Sequence, residues 1–401
     1  MAIARVRPGS YPAVLSYGFR PFFLLGALQA GIAILFWVPL LYGYLDTASL
    51  FAPVDWHVHE MLFGYLPAVM TGFLLTAIPN WTGRLPVQGA PLLGLVLLWL
   101  TGRVAIFFSS EIGWAGAAVI DCAFLLTLVM VAAREIIAGR NWRNLKVLAP
   151  VTVLLAANML FHWEASQYGI TDLSRRLGLG AAMVLIMVIG GRIIPSFTHN
   201  WLTRENPGRL PISFNRFDAM VILISALALA AWTFLPARSE TGFLLIIAGL
   251  LNIARLVRWA GDRTWRDPLV FILHAAYAFL PLGFLFAGLA ALWPDLIPSA
   301  AGIHAFGSGA VGSMTLAVMI RATLGHTGHA LKAGPAVRLM FAAVILAAVL
   351  RIAAACHPAF FWLMPLSAAA WGLAFLSYAL FFAGMLFRPR QRAQPVAAPA
   401  S

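Results

Sequence analysis

Long apolar stretches recur along the chain, separated by short polar or Gly/Pro-rich segments. A helix needs about 20 apolar residues to cross the ~30 Å hydrocarbon core of a bilayer, and these stretches reach that length. The pattern predicts an all-α polytopic membrane protein, with one transmembrane domain of about 12 helices over residues 1–387 and a disordered tail over 388–401. The predicted spans are residues 21–45, 55–78, 90–110, 112–134, 146–165, 176–198, 217–236, 241–260, 268–292, 299–321, 336–356 and 359–387.

Composition excludes a soluble protein. Hydrophobic residues make up 62% of the chain and charged residues 10%, whereas soluble domains average about 45–50% and about 25%. The two cysteines, Cys122 and Cys356, form no C-x-x-C-H pattern for covalent haem attachment. Any haem would therefore be held non-covalently.

The formal net charge of +13 is distributed unevenly over the predicted topology. Of the 27 lysines and arginines, 21 fall on the side of the N-terminus, three on the opposite side and three within spans. By the positive-inside rule this predicts that both termini lie inside. The excess charge then faces anionic membrane lipid, which removes nucleic acid as its explanation.

Charged residues within spans are candidates for functional sites, because burying a charge in the bilayer is costly. Arg103 in helix 3 and Asp121 in helix 4 lie at matching depth. They predict either a structural ion pair or an anchor for an anionic group such as a haem propionate. Arg192 in helix 6 has no obvious acidic partner in the sequence, which favours an anionic ligand.

Histidines are the most informative residues, since borderline metals prefer imidazole. The string D-W-H-V-H-E contains His57, His59 and Glu60 at the start of helix 2. Two positions apart, the histidines point to different helix faces, so we expect one to bind a metal and the other to lie beside it or at an interface. Glu60 could orient a ligating imidazole or transfer protons, which makes it the candidate catalytic residue.

Other histidines extend this cluster. His304 enters from helix 10 among glycines that suit either helix packing or room for a flat macrocycle. His162 lies at the outer end of helix 5, and together these histidines predict a haem or metal site near the outer ends of helices 2, 5 and 10. On the inner side, His274 and His326 are candidates for a second metal site. Any one of them could instead be a hydrogen-bonded packing residue.

Three helix ends carry related strings, which indicates an internal repeat. Helix 2 ends in A-I-P-N-W-T-G-R, helix 6 in I-I-P-S-F-T-H-N and helix 10, more weakly, in M-I-R-A-T-L-G-H-T-G, at offsets of 116 and roughly 126 residues. The recurrence every four helices predicts a pseudo-threefold arrangement of four-helix units.

Several long strings give the chain a family resemblance: GFRPFF (Gly18–Phe23), WHVHEMLFG (Trp56–Gly64), GFLLTAIPNWTGR (Gly72–Arg84), GGRIIPSFT (Gly190–Thr198) and LAVMIRATLGHTG (Leu316–Gly328). With them the chain resembles the NnrS family of haem- and copper-containing membrane proteins. The resemblance implies a bacterial-type cytoplasmic (inner) membrane protein that binds haem b and copper. It also implies a role in nitric oxide metabolism or nitrosative-stress tolerance. The histidines of the family strings map onto His57, His59, His304 and His326. His329 stands after H-T-G, where arginine is common in the family.

The leading hypothesis is a protein that binds or converts nitric oxide at a haem near the outer face. The haem would be ligated by His59 or His57 with His304, and Arg103 or Arg192 would hold its propionates. The catalytic subunits of haem–copper oxidases and nitric oxide reductases are an architectural analogy that supports haem ligation. As an enzyme, the protein would be an NO-converting oxidoreductase with an electron donor. The alternative is a transporter or metal-handling protein without redox turnover, and a membrane sensor ranks last.

Overall fold

A computed structural model describes residues 11–391. The described chain is helical and without strands, and twelve helices are long and apolar enough to cross a membrane. The prediction of an all-α, multi-pass membrane protein is therefore confirmed. The helices are α1 (Phe19–Leu41), α2 (Pro53–Thr82), α3 (Ala90–Phe107), α4 (Trp114–Ala138), α5 (Trp142–Tyr168), α6 (Asp172–Glu205), α7 (Arg216–Phe234), α8 (Ser239–Val257), α9 (Pro268–Leu292), α10 (Ser299–Thr327), α11 (Pro335–Cys356) and α12 (Leu363–Phe387).

Proline and glycine set several helix boundaries. Helices α2, α3, α9 and α11 each have a proline within the first two positions, where its missing N–H costs no hydrogen bond. Helices α2, α5 and α10 end at Gly83, Gly169 and Gly328, each in the left-handed conformation that closes a helix. These signals explain why predicted and observed ends mostly agree within a few residues. Helix α6 is the main exception, because it continues through polar residues to Glu205.

Helix neighbours repeat every four helices. Helix α1 packs on α2, α5 on α6 and α9 on α10, while α3 pairs with α4, α7 with α8 and α11 with α12. In addition, α5 contacts α2, α9 contacts α6 and α1 contacts α10, so each unit joins the preceding one in the same way. This repetition supports the predicted pseudo-threefold arrangement, with α2, α6 and α10 as the equivalent helices.

Two of these equivalent helices contain π-helical segments. Helix α2 widens over Glu60–Tyr65 and α10 over Ala305–Gly312. Each segment begins directly after a histidine, His59 or His304. A π turn inserts an extra residue and rotates the following side chains, and such turns are frequent at functional sites. The two segments therefore mark the part of the fold where candidate ligands meet.

Only the first residues of the predicted tail are described. The backbone N–H of Gln391 donates to the carbonyl of Thr327 at 3.0 Å. Arg20 donates to the carbonyls of Leu386 at 2.8 Å and Arg388 at 2.7 Å. The end of α12 is thus tied to the ends of α1 and α10, and the rest of the predicted tail, residues 392–401, lies outside the described residues.

Gly302 lets α10 lie against α9. A Cβ at Gly302 would lie 2.8 Å from the backbone nitrogen of Ala287 and 3.0 Å from its Cα, whereas a Cβ at Gly307 would meet no atom within 4 Å. We expect Gly302→Ala to lower stability by about 1–3 kcal/mol, because the facing backbone must shift. Gly307→Ala is the matched control and should leave the thermal unfolding midpoint in detergent unchanged. Equal midpoints for the two variants would contradict this packing.

Candidate functional site: two cavities and a buried cluster

A cavity of about 320 Å³ lies between the π-helical parts of α2 and α10 and helices α1 and α12. We call it the α2–α10 cavity. Its walls are mostly apolar, and its polar residues include His57 from α2 and His304 from α10. Mostly apolar walls with a few polar groups, and a volume of this order, are typical of cofactor sites.

His57 is held in a fixed orientation within this cavity. Its ring stacks on Trp37 with centroids 4.1 Å apart, and Trp37 Nε1 donates to the carbonyl of Pro53 at 2.9 Å. His57 Nδ1 is buried and has no hydrogen-bond partner among the described residues. His304 likewise makes no hydrogen bond within the described part of the chain. A buried polar atom without a partner is costly, so His57 is suited to a ligand, and His304 offers its ring to the same cavity.

Two arginines add positive charge to the cavity lining. They are Arg175 from α6 and Arg351 from α11. Arg175 pairs with Asp172, while its Nε is buried without a partner. No described carboxylate lies within 4.0 Å of Arg351. The cavity therefore combines two imidazoles, two guanidinium groups and apolar walls, which is the chemistry needed to hold a haem and its propionates.

A second group, the Asp121 cluster, comprises Asp121, His59, His162, Asn158, Glu60 and Arg103. Asp121 Oδ2 lies 3.2 Å from His59 Nε2 and 3.2 Å from His162 Nε2, and it accepts from Asn158 Nδ2 at 2.7 Å. One ligand atom each from His59, Asp121 and His162 lie within 4.8 Å of one another. Among the described residues, this is the one group of three His, Cys, Asp or Glu residues with metal-site spacing.

Arg103 joins the two carboxylates of the cluster. Its Nη1 donates to Glu60 Oε1 at 2.5 Å and its Nη2 donates to Asp121 Oδ1. Glu60 Oε1 also lies 3.2 Å from His59 Nδ1. With neutral imidazoles, two carboxylates and one guanidinium leave one negative charge unbalanced. Since unpaired buried charge is strongly unfavourable, one further positive charge, a proton or a metal ion, would neutralise the cluster.

The predicted site residues on α2, α3 and α4 are divided between the α2–α10 cavity and the Asp121 cluster. His57 and His59 face different sites, as their spacing predicted, with His57 in the cavity and His59 in the cluster. The Arg103–Asp121 ion pair is present. Arg103 does not line the α2–α10 cavity, where Arg175 and Arg351 lie instead.

Sequence reasoning missed four residues of these two sites: Trp37, Arg175 and Arg351 in the α2–α10 cavity and Asn158 in the Asp121 cluster. Of these, Arg351 carried a usable signal, since it is a charge within a predicted span. The glycines of α10 confirm the expected helix packing, and room for a flat macrocycle stays a prediction. Gly302, Gly309 and Gly312 face other helices closely, whereas Gly307 borders the cavity with free space.

Two other candidates lie in a second cavity of about 440 Å³, lined by α2, α6 and α10 nearer their C-terminal ends. We call it the axial cavity. Arg192 and His326 line it, and Arg192 Nη1 donates to Asn144 Oδ1 at 3.0 Å. His274 lies elsewhere: its Nε2 is 2.8 Å from Thr198 Oγ1, and it belongs to no described group with metal-site spacing.

The profile of the NnrS protein family matches residues 13–390. No curated protein matches at a significant level. The matched region contains all twelve helices, both cavities and the Asp121 cluster. The chain therefore belongs to the NnrS family, whose membership suggests a role in the response to nitric oxide.

Proposed function

We propose that the protein binds haem b non-covalently in the α2–α10 cavity and binds or converts nitric oxide there, near the outer membrane face. One observation carries this proposal: His57 and His304 line a single cavity from opposite helices, and neither has a hydrogen-bond partner within the described chain. Haem would supply an iron that can bind nitric oxide. Nitric oxide is small and apolar, so it can reach the cavity through the lipid.

The residues of the cavity would act as follows. His57, oriented by its stack on Trp37, and His304 would be the candidate ligands of the haem iron. Arg175 and Arg351 would bind the propionates as charge-assisted pairs. The apolar walls exclude water and keep the local dielectric low, which strengthens these ion pairs.

The Asp121 cluster is our candidate copper site. His59 and His162 would supply nitrogen ligands and Asp121 an oxygen ligand, while Asn158 Oδ1 is buried without a partner beside them. A monovalent copper ion would bring the charge of the cluster to zero, and imidazole suits copper. Glu60 and Arg103 would position His59 and Asp121 from the outer shell. Bound copper would supply a second redox-active centre, since His59 lies in the cluster and His57, two positions earlier on α2, lines the cavity.

An NO-converting oxidoreductase of this kind needs an electron donor. We propose that the protein lies in a bacterial-type cytoplasmic membrane with both termini inside, where cytoplasmic donors are accessible. Prolines inside α6 and α9, Pro195 and Pro281, and the buried metal-site geometry would also suit a copper-handling protein without redox turnover.

Absorption spectroscopy of the purified full chain distinguishes these functions. We expect a Soret band that shifts when nitric oxide is added. His57→Ala and His304→Ala should each reduce haem content at least tenfold. Loss of a group that merely hydrogen-bonds to a metal ligand costs about 10–100-fold in affinity, and loss of the ligand itself should cost more. His357→Ala, in the exposed loop between α11 and α12, is the control and should retain full haem. Full haem in both cavity variants would refute the assignment. Spectral silence together with copper uptake by vesicles would favour the copper-handling function.

A further inference from the structure

The axial cavity has a repeated lining. The same face of each equivalent helix contributes: Thr76, Arg192 and Arg321 form one ring, and Trp81, Phe197 and His326 form a second ring. Within each ring the offsets are 116 and 129 residues, since 192 − 76 and 197 − 81 both give 116, and 321 − 192 and 326 − 197 both give 129. The first offset matches the sequence repeat, and the second replaces the rough value of 126. The cavity therefore lies on the pseudo-threefold axis.

Positive charge in the axial cavity has no close counter-ion. Arg192 donates to the neutral amide of Asn144. The guanidinium carbon of Arg321 lies 4.0 Å from the centre of the Phe197 ring. No carboxylate in the described chain lies within 4.0 Å of either guanidinium group. Asp267, the acid that attracts Arg321 from farther away, accepts a hydrogen bond from the N–H of Leu269 as the cap of α9.

Nearby cations add to the excess of positive charge around Arg192 and Arg321. Arg143 acts electrostatically on Arg192, and Arg204 acts on Arg321. Two half-buried guanidinium groups in a cationic environment are stabilised when an oxyanion supplies bidentate hydrogen bonds. The polar part of the cavity therefore favours binding of an anion.

The remaining walls are apolar and aromatic. Phe73, Trp81 and Phe197 line the cavity beside the arginines, and its volume of about 440 Å³ is far larger than an inorganic anion requires. An arginine pair next to an aromatic wall favours a ligand with an acid group and a bulky apolar body.

We propose that the axial cavity binds an amphipathic anion, whose carboxylate or phosphate group is held by Arg192 and Arg321 while its apolar body lies against Trp81 and Phe197. This chemistry is shared by an acidic membrane phospholipid and by a tetrapyrrole with carboxylate side chains. The site is independent of the haem proposed for the α2–α10 cavity, because no residue lines both cavities.

The test measures ligands that remain on the full chain after purification in mild detergent. Wild-type protein, Arg192→Gln, Arg321→Gln and the double variant are denatured, and their extracts are analysed for phospholipid by mass spectrometry and for haem by absorption. Arg338→Gln is the matched control, since Arg338 is exposed on α11 and donates to the carbonyl of Ala333. Wild type and control should retain one equivalent of ligand, and the double variant should lose it. Each single variant should bind about tenfold more weakly, as expected for loss of a charge-assisted hydrogen bond.

Two arms identify the source of the ligand. If it is a phospholipid, then phosphatidylglycerol vesicles restore one equivalent to delipidated wild type but not to the double variant. If it is a tetrapyrrole, the haem-to-protein ratio falls by one in the double variant while the His57-dependent Soret band remains. Ala322→Phe fills the same cavity without altering either arginine and should also lose the ligand. Unchanged occupancy in these variants, or an inorganic anion as the only occupant, would overturn the proposal.

Discussion

Replacing Asp121 with asparagine is expected to lower the free energy of unfolding by about 3–5 kcal/mol and to remove bound copper. Asp121 is 2% exposed and contacts Arg103, His59, His162 and Asn158 at once. Removing one partner of a buried ion pair leaves the other charge without compensation, which costs about this much. The asparagine amide also replaces one oxygen acceptor with a donor, so it can no longer accept from both Arg103 and Asn158.

The two losses are measured separately. Thermal unfolding in detergent reports stability, and metal analysis of the purified protein reports copper. Asp262→Asn is the matched control, because Asp262 forms an exposed ion pair with Arg209, and such pairs contribute about 0–1 kcal/mol. It should change neither reading. A folded Asp121→Asn protein with full copper would show that copper binds elsewhere, while a stable apo variant would contradict the burial argument.

The topology could be predicted from the sequence because it depends on long apolar stretches, which leave little ambiguity in a lipid environment. The pairing of Arg103 with Asp121 followed from the same reasoning, since two charges at one depth on adjacent helices have few other partners. The orientation that the positive-inside rule gives stays a prediction. The assignment of His57 and His59 to different faces followed from helix geometry.

The sequence could not predict which of the two histidines, His57 or His59, would line the cavity and which would join the Asp121 cluster. The π turn after His59 rotates the side chains that follow it on α2, and no composition signal marks such a turn. Trp37 and Asn158 reach the sites from helices separated in sequence by up to a hundred residues, so only tertiary packing brings them there. Similarly, the repeated strings predicted related helix ends. The third string matched only weakly, so the alignment of α10 with α6 stayed undetermined. The equivalence of Arg192 and Arg321 could therefore not be predicted.

Arg255 gives the second prediction with a large expected effect. It is 0% exposed, and it joins its own helix, α8, to three other helices. Its Nε donates to Asp218 Oδ1 at 3.0 Å on α7, and its Nη1 donates to the hydroxyl of Tyr277 at 2.8 Å on α9 and to the carbonyl of Met187 at 3.2 Å on α6. Gly191 makes room for it, since a Cβ there would lie 2.1 Å from Nη2.

Arg255→Met should therefore destabilise the protein by about 3–5 kcal/mol, because it leaves the buried carboxylate of Asp218 without its closest cation. Adding Asp218→Asn should recover part of that loss, since the asparagine carries no charge and keeps an oxygen for the backbone N–H of Asn215. The double-mutant cycle from thermal unfolding should thus give a coupling energy of about 1–3 kcal/mol. Arg258→Met is the control: Arg258 lies 3.7 Å from the same aspartate at a partly exposed position, and its loss should cost below about 1 kcal/mol. Strict additivity of the two changes would mean that Arg255 stabilises these helices by packing, and that its charge contributes nothing.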